Sequence, residues 1–209
     1  MNPIAWPSLK RDLVAILRGI RPEEVEAVVA GLIDEKFEVI EVPLNSPEAF
    51  RSIEMIAKAF GDGALVGAGT VVSPQDCLRV ADAGGRLMVS PNVDPDVIAA
   101  ATSRGMVTLP GVFTPAEAFV ALKSGASALK FFPAGVLGAA GISAVKAVLP
   151  KDAVVGVVGG VSETSFTEFA RVGVRTFGLG SSLYKPGDSA EQVRAKARLA
   201  VEAYDRVFV

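Results

Sequence analysis

The sequence predicts an α/β protein, a single (β/α)8 (TIM) barrel spanning residues 1–209, and three observations predict it. Eight short apolar runs are each followed by a helical stretch, most of them opened by a helix-start signal. The ends of those runs recur every roughly 19 to 27 residues, the period of a βα unit with short loops. The runs are nearly continuous in apolar residues, as strands covered on both faces of a parallel sheet are. With 209 residues, the chain lies near the lower limit of about 200 for this fold, so inserted lids or a second domain are not expected. An open, doubly wound sheet is the alternative architecture.

Residues Ile4 to Asp12 read as a lead-in, a short helix or a loop, with the helix as the expected form. Leu13 to Leu17 is the first strand, ending at Arg18-Gly19, and Pro22-Glu23-Glu24 opens a helix to about Glu35 with Val25, Val28, Val29 and Leu32 at helical spacing. Phe37 to Val42 is the second strand, stopped by Pro43; Ser46 caps the next helix, with Pro47 in its first turn. Ala64 to Ala68 is the third, followed by the same signature at Ser73-Pro74. Arg86 to Val89 is the fourth, with Asp94-Pro95 starting its helix, and Met106 to Leu109 the fifth, with Thr114-Pro115 starting its helix. Ser127 to Phe132 is the sixth. The Gly- and Ala-rich stretch Ala134 to Ile142 reads as a βα loop, with the helix beginning after Gly138. Ala153 to Val158 and Arg175 to Leu179 are the seventh and eighth strands; Ser162 to Arg171 and Ser189 to Val207 are their helices.

Composition excludes several function classes. A net charge of -2 gives no basic footprint for nucleic acid or an anionic membrane. No apolar run approaches a membrane-spanning length, and Met1 to Lys10 lacks the apolar core of a signal peptide. A single cysteine, Cys77, permits no internal disulfide and fits a cytoplasmic location. There is no histidine, so Ser-His-Asp catalysis and imidazole-based metal sites are absent. Acid–base work falls to Glu, Asp, Lys, Tyr, Cys or water.

A barrel carries its chemistry at the C-terminal ends of its strands, and the unusual residues stand there: Arg18, Glu41, Asn45, Thr70, Asn92, Lys130, Gly159-Gly160 and Gly180-Ser181. Lys130 is the one lysine of nine inside an apolar strand. Strand alternation puts it on one face with Ala128 and Phe132, and Leu129 and Phe131 on the other. Burial disfavours the ammonium, and a neutral amine attacks carbonyl carbon. The competing reading is a lysine that snorkels to water or pairs with a carboxylate. Glu41 beside apolar neighbours is a candidate general acid/base, or else an ion-pair partner of Arg18 or Lys130. Arg18 has the fork geometry for carboxylate or phosphate, or packs and pairs with Glu41. Thr70 follows Gly67-Ala68-Gly69, which lets backbone amides approach a ligand or forms a plain tight turn. The glycine pairs at the last two strands suit a phosphate.

Several segments resemble the bacterial 2-keto-3-deoxy-6-phosphogluconate and -phosphogalactonate aldolases. They are Ala15-Ile16-Leu17-Arg18-Gly19, Glu41-Val42-Pro43-Leu44-Asn45-Ser46-Pro47, Gly67-Ala68-Gly69-Thr70-Val71, Ser90-Pro91-Asn92, Leu129-Lys130-Phe131-Phe132-Pro133 and Gly159-Gly160-Val161. The resemblance implies a class I aldolase, a homotrimeric barrel that uses no metal or cofactor and acts on a phosphorylated keto acid with pyruvate as product. It implies Lys130 as the Schiff-base lysine and Glu41 as the general acid/base. Gly69 and Thr70 would hold the pyruvate carboxylate, Arg18 would contact substrate, and Gly159, Gly160, Gly180 and Ser181 would hold the phosphate. Asn45 and Val158 are similar to the galactonate branch, which implies the galacto epimer as substrate. The gluco epimer, a phosphate-binding barrel isomerase or epimerase, and an inactive binding module are the rival expectations.

Overall fold

The computed structural model describes residues 4–209. Nine parallel strands form the sheet: β1 Leu13–Ile16, β2 Val39–Pro43, β3 Leu65–Gly69, β4 Leu87–Val89, β5 Val107–Leu109, β6 Gly111–Val112, β7 Leu129–Phe131, β8 Val155–Val158 and β9 Thr176–Leu179. Their order is β5-β4-β3-β2-β1-β9-β8-β7-β6. The two ends of that order are separated by Pro110 alone: β5 is the predicted fifth strand, and β6 continues it past the proline where it was expected to end. Pro110 has no N–H to give the ladder and splits it, yet its carbonyl still accepts from the Lys130 amide at 2.9 Å. The ring is therefore an eight-stranded barrel closed through Pro110.

The helices are α1 Pro22–Asp34, α2 Ala49–Phe60, α3 Pro74–Asp82, α4 Pro95–Ser103, α5 Pro115–Lys123, α6 Ala134–Lys146, α7 Phe166–Ala170 after a 3-10 turn Glu163–Ser165, and α8 Ala190–Phe208. The Ser73, Asp94, Thr114 and Ser189 side chains accept from first-turn amides as the cap-plus-proline and Ser-x-x-Gln patterns require. Leu129 and Phe131 face outward into the core between sheet and helices. Val14, Val39, Leu87, Val89, Val107, Leu109 and Ala128 fill the barrel interior.

Three expectations are corrected. Residues 4–12 form no helix; Met1 to Pro3 lie outside the described residues. The amides of Lys10 and Arg11 donate to Glu38 Oε2 at 3.0 and 3.3 Å, so their donors are satisfied without helical bonds. Trp6 Nε1 donates to Asp12 Oδ1 at 3.1 Å, and Ile4, Trp6 and Leu9 pack under the barrel interior. Arg11 clamps the segment to α8 through Asp205, with contacts of 2.7 and 2.6 Å.

The stretch after Lys130 is helical, not a loop. α6 starts directly after Pro133, and Gly138, at φ 68° and ψ 168°, is non-helical and divides it into a first turn and a longer helix, the latter beginning after Gly138 as expected. Ser46 does not cap α2, which begins at Ala49 after Glu48 in a left-handed conformation (φ 43°). Its hydroxyl instead accepts from the Gly19 amide at 2.9 Å, tying the end of β1 to the end of β2.

Candidate active site

The β2 and β7 ladders bring the two key side chains into the barrel. Glu41 pairs in register with Ile16 and Gly67, and Lys130 with Gly111 and Gly156. Glu41 is 3% exposed and Lys130 6%. Burial pushes the Glu41 carboxyl up to about 7, opposed by the positive charges of Lys130 and Arg18. Burial pulls the Lys130 amine down to about 8; Glu41 opposes the shift and Arg18 adds to it. No ion pair within 4 Å joins Glu41 to either cation, and Glu41 Oε2 has no hydrogen-bond partner among the described residues. The ion-pair alternative for Glu41 is thereby disfavoured. Gly69 leaves room for it: a Cβ there would displace the Glu41 carboxylate.

Arg18 forms no ion pair with Glu41 among the described residues. Its Nη1 donates to Asn45 Oδ1 at 2.6 Å and to Thr70 Oγ1 at 3.3 Å, so the ends of β1, β2 and β3 share one polar link. Thr70 has φ 56°, a left-handed conformation that costs a β-branched residue on the order of 1 kcal/mol and is held by this network.

A cavity of about 310 Å3 opens beside this cluster, walled by Arg18, Val158, Gly159, Gly160, Gly180 and Ser181. Phe132 lines it too, and the Lys130 ammonium position lies 5.1 Å from that ring's centroid. The amine therefore sits one side chain from the glycine-edged wall. Gly159 and Gly160 have φ of 85° and 76°, and the Gly160 and Ser181 amides have no backbone acceptor among the described residues. Such a rim suits an anion. Asn92 is not part of this wall.

Residues 8–196 match the family described as KDPG and KHG aldolase. The chain belongs to that family. It is 57% identical over 208 residues to the probable 2-dehydro-3-deoxy-6-phosphogalactonate aldolase of Rhizobium meliloti strain 1021, covering 100% of this chain and 98% of that one. It is 46% identical over 195 residues to the 2-dehydro-3-deoxy-6-phosphogalactonate aldolase of Escherichia coli strain K12, covering 93% and 95%. A solved structure described as native KDPGal superposes with a TM-score of 0.95 at 44% identity, covering 97% and 98%. The barrel is thus the family's fold, and the chain is a carbon–carbon lyase by family.

Sequence reasoning missed Ile16, Phe132, Tyr184, Lys185 and Pro186 on the cavity wall. Phe132 was within reach, since alternation puts it on the Lys130 face. Ile16, two residues before Arg18, was within reach by the same rule; Tyr184, Lys185 and Pro186 have no local signal, because the turn after β9 folds back over the end of β1, with Pro186 against Gly19.

Proposed function

We propose that this protein is a class I aldolase that cleaves 2-dehydro-3-deoxy-6-phosphogalactonate to pyruvate and D-glyceraldehyde 3-phosphate. One observation carries the reading: Lys130, buried and with a depressed pKa, shares the barrel interior with Glu41, buried and with a raised one. A pair of groups pushed toward neutrality suits carbonyl addition followed by proton transfer.

In this reading the neutral Lys130 amine attacks C2 of the keto acid, and loss of water gives a protonated imine. Glu41 accepts the C4-hydroxyl proton, the C3–C4 bond breaks, and its electron pair moves into the imine to form an enamine. The aldehyde leaves. Protonation of C3 and hydrolysis of the imine release pyruvate and return the amine. The protonated imine is the electron sink, so neither metal nor cofactor has a step to perform. Gly69 and Thr70 hold the carboxylate, and Gly159, Gly160, Gly180 and Ser181 hold the phosphate, with Arg18 between the two. The galacto epimer is favoured because the two relatives at 57% and 46% identity are named for it, and because Asn45 and Val158 fit that branch.

The assembly in this reading is a homotrimer acting in the cytoplasm. Phe113, Phe119, Val120 and Val136 are exposed on α5, on α6 and in the turn into α5, apolar area that a neighbouring copy would cover. The buried, unpaired Cys77 accords with a reducing compartment.

The test is reduction with borohydride in the presence of pyruvate. A mass increase mapped to Lys130 is expected; an adduct on another lysine, or none, removes the Schiff-base mechanism.

A further inference from the structure

Lys185 lines the same cavity as Gly160, Gly180 and Ser181. The turn that carries it is braced throughout. The Leu183 and Tyr184 amides both donate to the Gly180 carbonyl at 2.9 Å, and the Asp188 amide donates to the Lys185 carbonyl at 2.9 Å. Tyr184 is buried beneath it. Pro186 seals the turn against Gly19, where a Cβ would come within 2.7 Å of the proline Cγ. The backbone of Lys185 is therefore fixed at the cavity's edge while its side chain stays exposed.

The ammonium forms no ion pair among the described residues, although its charge helps Lys196 hold the Asp188 carboxyl below its usual range. The one carboxylate bonded to its backbone, Asp188, accepts the Lys185 amide at 2.9 Å but forms its ion pair with Lys196 at 2.6 Å. No ion pair includes Lys185 among the described residues. The other cation of the wall, Arg18, spends Nη1 on Asn45 and Thr70. A phosphate seated on the Gly160 and Ser181 amides would carry close to two negative charges, and backbone dipoles alone do not neutralise them.

Resting on the aldolase reading above, we propose that Lys185 is the phosphate-pairing cation of the site, and so a determinant of selectivity for the phosphorylated substrate. The amides and glycines set where the phosphate sits; Lys185 supplies charge at the mouth, where a mobile ammonium can meet it as it enters.

The experiment runs the reaction toward condensation, joining pyruvate to D-glyceraldehyde 3-phosphate or to D-glyceraldehyde, with wild type, Lys185→Met and Lys185→Arg. One charge-assisted hydrogen bond to phosphate predicts that Lys185→Met lowers kcat/KM selectivity for the phosphorylated aldehyde by about 10- to 100-fold. The loss should fall on KM, shrink as ionic strength rises, and be largely restored in Lys185→Arg. An unchanged selectivity, or equal loss with both aldehydes, overturns the proposal, the latter marking a structural role for the turn. Borohydride trapping with pyruvate runs alongside. An adduct on Lys130 with unchanged selectivity in Lys185→Met sinks the Lys185 assignment alone. A wild type that forms no adduct overturns the aldolase reading and this proposal with it.

Discussion

Arg18 and Asn45, 27 residues apart, are joined by a 2.6 Å hydrogen bond in which the guanidinium donates to the amide oxygen. The bond ties Arg18, on the cavity wall, to the chain just beyond the end of β2. Asn45 therefore acts through Arg18. Asn45→Ala removes the acceptor and frees the guanidinium to swing, so KM for the phosphorylated keto acid should rise about 3- to 30-fold with kcat nearly kept. Steady-state kinetics check this. A fall in kcat at constant KM would place Asn45 at the chemical step instead.

Glu41 has no partner for Oε2 among the described residues and faces the same interior as Lys130. Glu41→Gln keeps the shape and loses the proton acceptor. The variant should still trap pyruvate on Lys130 with borohydride, while cleavage slows on the order of a hundredfold or more. Rapid-quench turnover measures the second effect. If cleavage runs at the wild-type rate, the proton goes to water or another group.

The same two burials have a stability consequence with opposite signs along the pH axis. Glu41 is raised from 4.5 to about 7 in the folded chain. Below about 4.5 it is protonated folded and unfolded, and contributes nothing. Between about 4.5 and 7 the unfolded chain releases the proton first, so stability falls as pH rises, and the cost persists above 7. Lys130, lowered from 10.5 to about 8, costs nothing above 10.5 and its full amount below 8. Glu41→Gln should thus gain relative to wild type by about 1 to 3 kcal/mol on going from pH 4.5 to pH 8. Urea unfolding at both pH values reads the change in the difference, which cancels any fixed cost of burying the amide. A difference that is flat with pH would mean that Glu41 is solvated in the folded protein.

The barrel was legible because the strands are short apolar runs closed near a Gly or Pro, and most are followed by a helix with a cap or first-turn proline. Lys130 stood out for the same reason, as the one lysine such a run encloses. What escaped was set by distant groups. The lead-in looks helical or looped in isolation, and Glu38 decides the matter by taking the Lys10 and Arg11 amides. Ser46 carries a sound capping signature, yet the Gly19 amide claims its hydroxyl. α6 was hidden because its Gly- and Ala-rich first turns show no strong apolar stripe and Gly138 interrupts them. Lys185, followed by Pro186-Gly187-Asp188, has the look of a solvated turn residue; only the fold-back of that turn over Gly19 brings it to the cavity.

Val158 bears on which epimer is preferred. It ends β8, pairs in register with Gly178, and lines the cavity wall that leads to Gly159. A Cβ on Gly178 would come within 2.6 Å of Val158 Cγ2, so the valine methyls project into the space that glycine leaves. An apolar contact there offers no partner to a C4 hydroxyl pointing at β8, whereas a site that hydrogen-bonds a hydroxyl discriminates strongly. The galacto epimer should therefore be preferred through contacts elsewhere, with the gluco epimer still turned over. Val158→Thr exchanges one methyl for a hydroxyl at similar volume and should shift the kcat/KM ratio toward the gluco substrate by up to roughly 1 to 3 kcal/mol, one hydrogen bond to a buried group. The measurement is kcat/KM for both epimers on both proteins. A wild type that prefers the gluco epimer, or a ratio the substitution leaves unmoved, would detach substrate choice from Val158 while leaving the chemistry of Lys130 and Glu41 in place.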